Sequence, residues 1–170
     1  MKSKGNIVFL GMMGSGKSSI GKLVSKELNL NFYDVDILIE KKLNMKIPKI
    51  FQLKGEKFFR DFEEKLTMDT LRKKNTVVSL GGGAFLNNTI RKEILSNHIS
   101  FWLSLSGMLI ADRIKKSTKR PVALNLTKQE LVKLNNKRSG IYSKALYKIN
   151  CDNLTKTEIV KKILNIYETN

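Results

Sequence analysis

A short apolar run that leads directly into a glycine-rich loop is the feature that most constrains this sequence. The run Ile7 to Leu10 has the length and composition of a buried parallel strand. The next eight residues, Gly11-Met-Met-Gly-Ser-Gly-Lys-Ser18, have the spacing G-x-x-x-x-G-K-S/T. When such a loop opens a helix, its backbone N–H groups converge on phosphate oxygens. The pattern therefore predicts a nucleotide site, with Lys17 on the β- and γ-phosphates and the Ser18 hydroxyl on Mg²⁺.

The rest of the sequence alternates short strands with helices. Strands are predicted at Asn6–Leu10, Phe32–Asp34, Thr76–Leu80, Ile99–Leu103 and Tyr147–Cys151. Helices are predicted from Lys17, from Pro48 to Leu53, after Gly55 to about Lys73, and, by capping-box spacing, after Thr127 and Thr155. No repeat or linker divides the chain, so we predict one three-layer α/β domain over residues 1–170.

The composition excludes several classes of protein. With 41% hydrophobic and 28% charged residues, the chain can build a core. One cysteine, Cys151, and one histidine, His98, leave no cluster for zinc and no intramolecular disulfide; we expect Cys151 to be a small buried residue near a strand end. The apolar runs are far shorter than the roughly 18 residues of a membrane span, and no signal-peptide cleavage site follows the first. We therefore expect a cytoplasmic protein without a membrane partner.

The net charge of +17, from 32 basic and 15 acidic residues, raises nucleic acid as a partner. The basic residues are dispersed as doublets, such as Lys41–Lys42 and Lys161–Lys162, with no run of five like charges, which is typical of a solvated surface. We therefore expect no nucleic-acid partner. A nucleotide-dependent nucleic-acid-binding protein remains the alternative from a different class.

The six arginines are informative because 26 of the 32 basic residues are lysines. A guanidinium presents a rigid fork that binds carboxylate or phosphate through two parallel hydrogen bonds, which lysine cannot reproduce. Each arginine is therefore a candidate for a specific contact with an anion, with a surface ion pair as the alternative.

Two acids lie at the end of the second predicted strand, where open α/β sheets bind their ligands. Asp34 could hold Mg²⁺ through water, and Asp36 could accept a hydrogen bond from an acceptor hydroxyl; the alternative is that both are solvated loop acids. The third strand ends in Gly81-Gly-Gly83, which either lets a ligand approach the backbone closely or forms a flexible loop.

Taken together, these residues resemble the shikimate kinase family over almost the whole chain. The ordered set is far more specific than any one of its parts. It consists of the phosphate loop, Asp34-Val-Asp36, Ile47-x-x-Ile50-Phe51, Gly55-Glu-x-x-Phe59-Arg60-x-x-Glu63, Gly81-Gly-Gly83, Arg120-Pro121, and Arg138 with Tyr142.

The resemblance implies both a fold and an activity. The fold is the three-layer P-loop kinase fold, a five-stranded parallel sheet with helices on both faces, an acceptor-binding helical segment at about residues 35–62 and a mobile lid at about residues 117–126. The activity is transfer of the γ-phosphoryl group of ATP to the 3-hydroxyl of shikimate, with Mg²⁺ as cofactor, in a protein that we expect to be a monomer. A related kinase of another hydroxy acid, such as gluconate, is the runner-up.

The resemblance also implies residue roles. Catalysis falls to Lys17, Asp36 and Arg120. ATP contacts are expected from Gly11, Gly14, Ser15, Gly16, Lys17, Ser18, Ser19, Arg113 on the adenine and the lid residue Arg120. The acceptor is expected to meet Asp36 with its hydroxyls, Arg60 and Arg138 with its carboxylate, and Gly82 and Gly83 with its ring; Ser18 and, through water, Asp34 are the metal residues. Arg72 and Arg91 remain ordinary surface residues of helices.

This chain departs from the family pattern at three places. Asn44 and Lys46 stand where the family often has Gly and Ser, and Arg120-Pro-Val-Ala123 stands where it usually has Arg-Pro-Leu-Leu. The loop from Asp152 to Thr157 lacks an arginine that often contacts adenine, and Lys156 is the candidate substitute.

Overall fold

A five-stranded parallel sheet organises the part of the chain that the computed structural model describes, residues 5–116 and 126–169. Its strand order is β2-β3-β1-β4-β5. The strands are β1 (Ile7–Leu10), β2 (Asn31–Asp34), β3 (Thr76–Ser79), β4 (Ile99–Ser104) and β5 (Tyr147–Asn150). All five predicted strands are confirmed, and their ends agree with the prediction to within one residue.

Seven α-helices connect and follow these strands within the described ranges. They are α1 (Lys17–Glu27), α2 (Val35–Leu43), α3 (Ile47–Leu71), α4 (Asn88–Asn97), α5 (Gly107–Lys115), α6 (Lys128–Tyr142) and α7 (Lys156–Thr169), and a short 3-10 turn spans Ala84–Leu86. Both predicted capping boxes are present. Thr127 exchanges hydrogen bonds with Glu130 at the start of α6, and Thr155 does the same with Glu158 at the start of α7.

The helices cover both faces of the sheet, as predicted. From β1 the chain moves one way to β2, and from β2 it moves back across the sheet to β3, β4 and β5. Because parallel crossovers are right-handed, the two directions place their helices on opposite faces. Accordingly α1 packs with the C-terminal helix α7, whereas α3 packs with α4 and α5 packs with α6. The chain leaves β1 toward one edge of the sheet and leaves β3 toward the other edge. This reversal opens a crevice at the carboxyl ends of these two strands.

The segment after β2 differs from its sequence-based description. Asp34 ends β2 and caps α2, since its Oδ1 accepts the backbone N–H of Ile37 at 3.2 Å, and Asp36 lies in the first turn of that helix. Both acids therefore belong to the start of a helix and not to a loop. The two helices predicted on either side of Gly55 are confirmed as the two helical segments of α3, which are separated at Gly55, where φ is +79° and ψ is 168°.

Helix α4 is absent from the sequence-based description. Its sequence signals are weak. Asn87 caps the helix by accepting the N–H of Ile90 at 3.1 Å, and Ile90 and Ile94 are the only residues of this helix that are buried. Within residues 5–116 and 126–169, no helix is long and apolar enough to cross a membrane.

Cys151 and His98, to which the sequence analysis assigned no chemical role, both contribute to the packing of the fold. Cys151 is buried directly after β5, as expected, and burial raises the pKa of its thiol to about 11. His98 lies directly before β4, where its Nδ1 accepts the backbone N–H of Asn6 at 3.1 Å. Asn6 in turn donates from its side chain to the carbonyls of Leu71 and Lys73, at 2.8 and 2.7 Å. His98 thus supports a junction between β1, β4 and the end of α3.

We expect the free energy of unfolding to decrease as the pH drops below about 6.5, because of the titration of His98. Burial lowers the pKa of His98, with Glu93 opposing the effect, so the folded protein binds fewer protons than the unfolded chain. The contribution of His98 to the free energy of unfolding is then fully present above the unfolded pKa of about 6.5. It is lost as the pH falls toward the folded pKa, by at most about 1.4 kcal/mol for each pH unit. Urea unfolding between pH 5.5 and 7.5 measures this slope.

The variant His98→Asn isolates the effect, because His98 is the only histidine in the sequence. Asparagine keeps a side-chain acceptor for the N–H of Asn6 and does not titrate. We expect the pH dependence to disappear between pH 5.5 and 7.5. An unchanged slope in this variant would assign the dependence to other groups.

Candidate active site

The carboxyl ends of β1, β2 and β3 open onto a cleft of about 580 Å³. Strand β1 contributes the phosphate loop, β2 contributes the two aspartates, and β3 contributes the three glycines. Helices α3 and α6 close the sides. Of the predicted site residues, the cleft is lined by Gly14, Gly16, Lys17, Ser18, Ser19, Asp34, Asp36, Arg60, Gly82, Gly83 and Arg138.

The phosphate loop has the geometry that its glycines predict. Gly11, Gly14 and Gly16 all have positive φ, at +134°, +82° and +97°. Gly11 also lies against β4, because a Cβ atom there would be 2.8 Å from the Leu103 carbonyl oxygen. The Lys17 ammonium donates to the Gly11 and Met12 carbonyls, both at 2.9 Å. The loop therefore wraps around its own lysine at the positive end of α1.

Ser18 and Asp34 form the pair to which the sequence assigned Mg²⁺. The Ser18 hydroxyl donates to Asp34 Oδ2, and the other carboxylate oxygen of Asp34 caps α2. Hydroxyl and carboxylate oxygens are the hard ligands that Mg²⁺ takes together with substrate phosphates and water. The described residues contain no cluster of three or more His, Cys, Asp or Glu. This donor set fits a Mg²⁺ ion shared with a nucleotide and does not form a cage of protein ligands.

The three glycines after β3 make room for charged side chains. A Cβ atom on Gly81 would lie 2.6 Å from Glu63 Oε1 and 2.7 Å from Asp36 Oδ1. A Cβ atom on Gly83 would lie 2.7 Å from Arg60 Nη1. The absence of side chains here is thus a packing requirement, because two carboxylates and a guanidinium lie directly against this backbone.

Arg60 is held in a fixed position by its neighbours on α3. Its Nη1 donates to Glu63 Oε2 at 2.7 Å, and its guanidinium lies over the rings of Phe51 and Phe59, at 5.9 and 5.1 Å from their centres. Both contacts restrict the planar fork.

Glu63 is a site residue that sequence reasoning missed, since the sequence analysis gave it no role beyond its place in the family pattern. Its side chain is 3% exposed and lies beside both Arg60 and Asp36. Burial raises the pKa of Glu63, whereas Arg60 opposes the rise. The signal that could have found it is its spacing of three residues from Arg60, which places both on one helix face.

Helix α6 contributes Arg138 and Tyr142, which are four residues apart and therefore share a helix face. The Tyr142 hydroxyl donates to the Gly82 carbonyl oxygen at 2.5 Å. A Cβ atom on Gly82 would be 3.8 Å from Arg138 Nη1. Tyr142 thus links the glycine loop to the helix that carries Arg138, and the two arginines Arg60 and Arg138 border the same loop.

Three predicted site residues in the described part of the chain, Gly11, Ser15 and Arg113, do not line this cleft. Arg113 is exposed on α5, where its Nη1 is 3.4 Å from the Gly14 carbonyl oxygen. Ser15 is buried inside the loop. Arg120 and the predicted lid up to residue 125 lie outside the described residues, and Leu126, at the end of that range, lines the cleft.

Comparisons with known proteins show which family this chain resembles. The family model described as "Shikimate kinase" matches residues 13–168. A shikimate kinase of Thermodesulfovibrio yellowstonii is 40% identical, covering 96% of this chain and 95% of the relative, and one of Bacillus subtilis is 42% identical, covering 94% and 87%. A shikimate kinase structure from Acinetobacter baumannii in complex with shikimate superposes with a TM-score of 0.91 at 29% identity, covering 99% of this chain and 95% of that one.

Proposed function

The chain belongs to the shikimate kinase family, and we propose that it transfers the γ-phosphoryl group of ATP to the 3-hydroxyl of shikimate with Mg²⁺ as cofactor. One observation carries the proposal: a single cleft joins the phosphate loop to a carboxylate and two arginines. A phosphoryl donor and an anionic hydroxylated acceptor can therefore occupy the same space. The domain that we propose spans residues 1–170, with its acceptor-binding segment at about 35–62.

On the nucleotide side, the chain's own groups bind and neutralise phosphate. Loop N–H groups and the positive end of α1 bind the phosphates, and Lys17 stabilises the charge that spreads over the transferred group. Ser18 and Asp34 would hold Mg²⁺, which neutralises the β- and γ-phosphates when it is bound. We assign Arg113 to the adenine and Arg120, which lies outside the described residues, to the phosphates in a closed state of the lid.

On the acceptor side, Arg60 and Arg138 bind the carboxylate and Gly82 and Gly83 border the ring. Asp36 orients the attacking hydroxyl and accepts its proton as the bond to phosphorus forms. The buried carboxyl of Glu63 fixes the direction of the Arg60 fork through their 2.7 Å ion pair.

An assay of ADP release over a panel of hydroxy acids tests the proposal. We expect shikimate, which carries both a carboxylate and ring hydroxyls, to support turnover in the presence of Mg²⁺, and gluconate to support much less. Preferential turnover of gluconate would instead favour the related-kinase alternative. Binding to random DNA, measured over a range of salt concentrations, tests the nucleic-acid alternative, which predicts a steep loss of affinity with salt.

Replacing either acceptor arginine with lysine is expected to raise the KM for shikimate at least tenfold while the KM for ATP stays nearly constant. Arg60→Lys and Arg138→Lys keep the positive charge but lose the two-pronged contact, whose charge-assisted hydrogen bonds contribute about 1.5–3 kcal/mol. Steady-state kinetics with each substrate varied in turn separate the two KM values. Arg72→Lys is the matched control, since Arg72 forms an exposed ion pair with Asp69 on the same helix as Arg60. An equal rise in both KM values would indicate a folding defect.

A further inference from the structure

The turn between α2 and α3 contains Asn44 and Lys46, two residues at which this chain departs from the family pattern. Asn44 ends α2 with φ at +46°, a left-handed conformation that asparagine tolerates better than most residues, so it can stand where the family often has glycine. Lys46 precedes α3 in the cap position, and its side chain makes no capping hydrogen bond. The first turn of α3 also contains Pro48, which has no N–H group. A cap for α3 must therefore come from elsewhere.

Glu40, one turn before the end of α2, supplies this cap across the turn. Its Oε1 accepts the backbone N–H of Ile47, the first residue of α3, at 3.1 Å. Its Oε2 accepts from the Lys46 ammonium at 2.7 Å, and its backbone carbonyl accepts the N–H of Met45 at 3.1 Å. Glu40 thus bonds to three consecutive residues of the connection, and a negative charge near the start of α3 also interacts favourably with the helix dipole.

The segment that Glu40 caps forms one wall of the cleft. Ile47, Pro48 and Phe51 line the cleft, and the ring centre of Phe51 is 4.5 Å from that of Phe59. Phe51 also lies beneath the Arg60 guanidinium. The position of the first turns of α3 therefore determines both the apolar wall and one side of the packing around Arg60.

This part of α3 depends on its own contacts, because the kink at Gly55 separates it from the long remainder of the helix. A helical segment of about eight residues is marginal without packing or caps. Ile50 is fully buried and anchors one face. The bond from Glu40 to Ile47 anchors the free end.

We propose that Glu40 is a positioning residue for the acceptor, which holds the first turn of α3 against α2 and so sets the wall formed by Ile47 and Phe51 and the packing around Arg60. The inference rests on the proposed function, since it assigns that wall to the acceptor. Glu40 also lines the cleft itself, so a direct contact between its carboxylate and the acceptor is the competing interpretation that the test must separate.

Three variants test the proposal. Glu40→Ala removes the cap, Glu40→Gln keeps an oxygen that can accept the N–H of Ile47, and Lys46→Ala removes only the exposed ion pair. We expect Glu40→Ala to raise the KM for shikimate about fivefold, within the range of effects of losing a helix cap, with kcat and the KM for ATP nearly unchanged. We expect less than a twofold change for Glu40→Gln and none for Lys46→Ala. Hydrogen exchange of the Ile47 amide should accelerate in Glu40→Ala only.

The outcomes separate the interpretations. An unchanged KM for shikimate in Glu40→Ala, with faster exchange at Ile47, would overturn the positioning role. Equal KM increases in Glu40→Ala and Glu40→Gln would also overturn it, because they would indicate direct contact of the carboxylate with the acceptor. A wild-type protein that does not phosphorylate shikimate would contradict the proposed function, and this result is distinguishable because every variant is compared with the wild-type protein in the same assay.

Discussion

Replacing Asp36 with asparagine is expected to lower kcat about 10²-fold or more. The substitution preserves the shape of the side chain and removes the negative charge that would accept the proton of the attacking hydroxyl, a contribution of about 10²–10⁴ for general bases. Asp36 lies in the first turn of α2 and lines the cleft, and a Cβ atom on Gly81 would lie 2.7 Å from its Oδ1. In the proposed function, this carboxylate meets a hydroxyl bound near Gly82. Single-turnover kinetics at saturating ATP and shikimate measure the effect on the chemical step.

Asp69→Asn provides the matched control for this prediction. Asp69 is exposed on α3 and pairs only with Arg72 among the ion pairs recorded for the described residues, so its loss should leave kcat unchanged. Turnover close to that of the wild-type protein in Asp36→Asn would remove Asp36 from the chemistry.

Much of the nucleotide half of the site could be predicted because it is local in sequence. The strand, the loop and the helix that follows form one continuous segment, and its glycines permit the positive φ values seen at Gly11, Gly14 and Gly16. The positions of β1, β3 and β4 were predictable for a similar reason, since each contains a short apolar run flanked by polar or glycine residues.

Apart from the candidate hydroxyl contact at Asp36 and the glycine loop, the roles in the acceptor half were assigned only through the resemblance, because its geometry depends on contacts between distant segments. No residue close to Gly81-Gly-Gly83 in the sequence indicates that carboxylates from α2 and α3 will lie against this loop. Glu63 is buried beside Arg60 because α3 lies against the glycine loop. The pattern of charges along α3 does not predict this contact.

The cap at the start of α3 is a contact that the sequence did not reveal. The backbone N–H of Ile47 donates to Glu40, seven residues earlier, on a helix that the residues alone did not predict. Such a contact becomes visible only when the turn between two helices is described in atomic detail.

Replacing Gly81 with alanine is expected to lower kcat about 10²-fold, with a loss of stability of about 1–3 kcal/mol from overpacking. The added Cβ atom would lie within 2.7 Å of carboxylate oxygens of both Glu63 and Asp36, closer than carbon and oxygen can approach without displacement. Glu63 is buried and bound to Arg60, so it yields less readily than Asp36, which is half-buried. The substitution therefore displaces the proposed base, and kcat and urea unfolding together separate this effect from unfolding.

Gly140→Ala is the matched control for the loss of a glycine. Gly140 lies within α6, and a Cβ atom there would have no other atom within 4 Å, so alanine should leave kcat unchanged and raise stability by about 0.5–1 kcal/mol. If Gly81→Ala destabilises the protein but retains its kcat, then Asp36 tolerates displacement and does not act by precise placement. A large fall in kcat without a matching change in the KM for ATP would instead place the defect at the transferring group, because we assign nucleotide binding to the phosphate loop and not to this glycine.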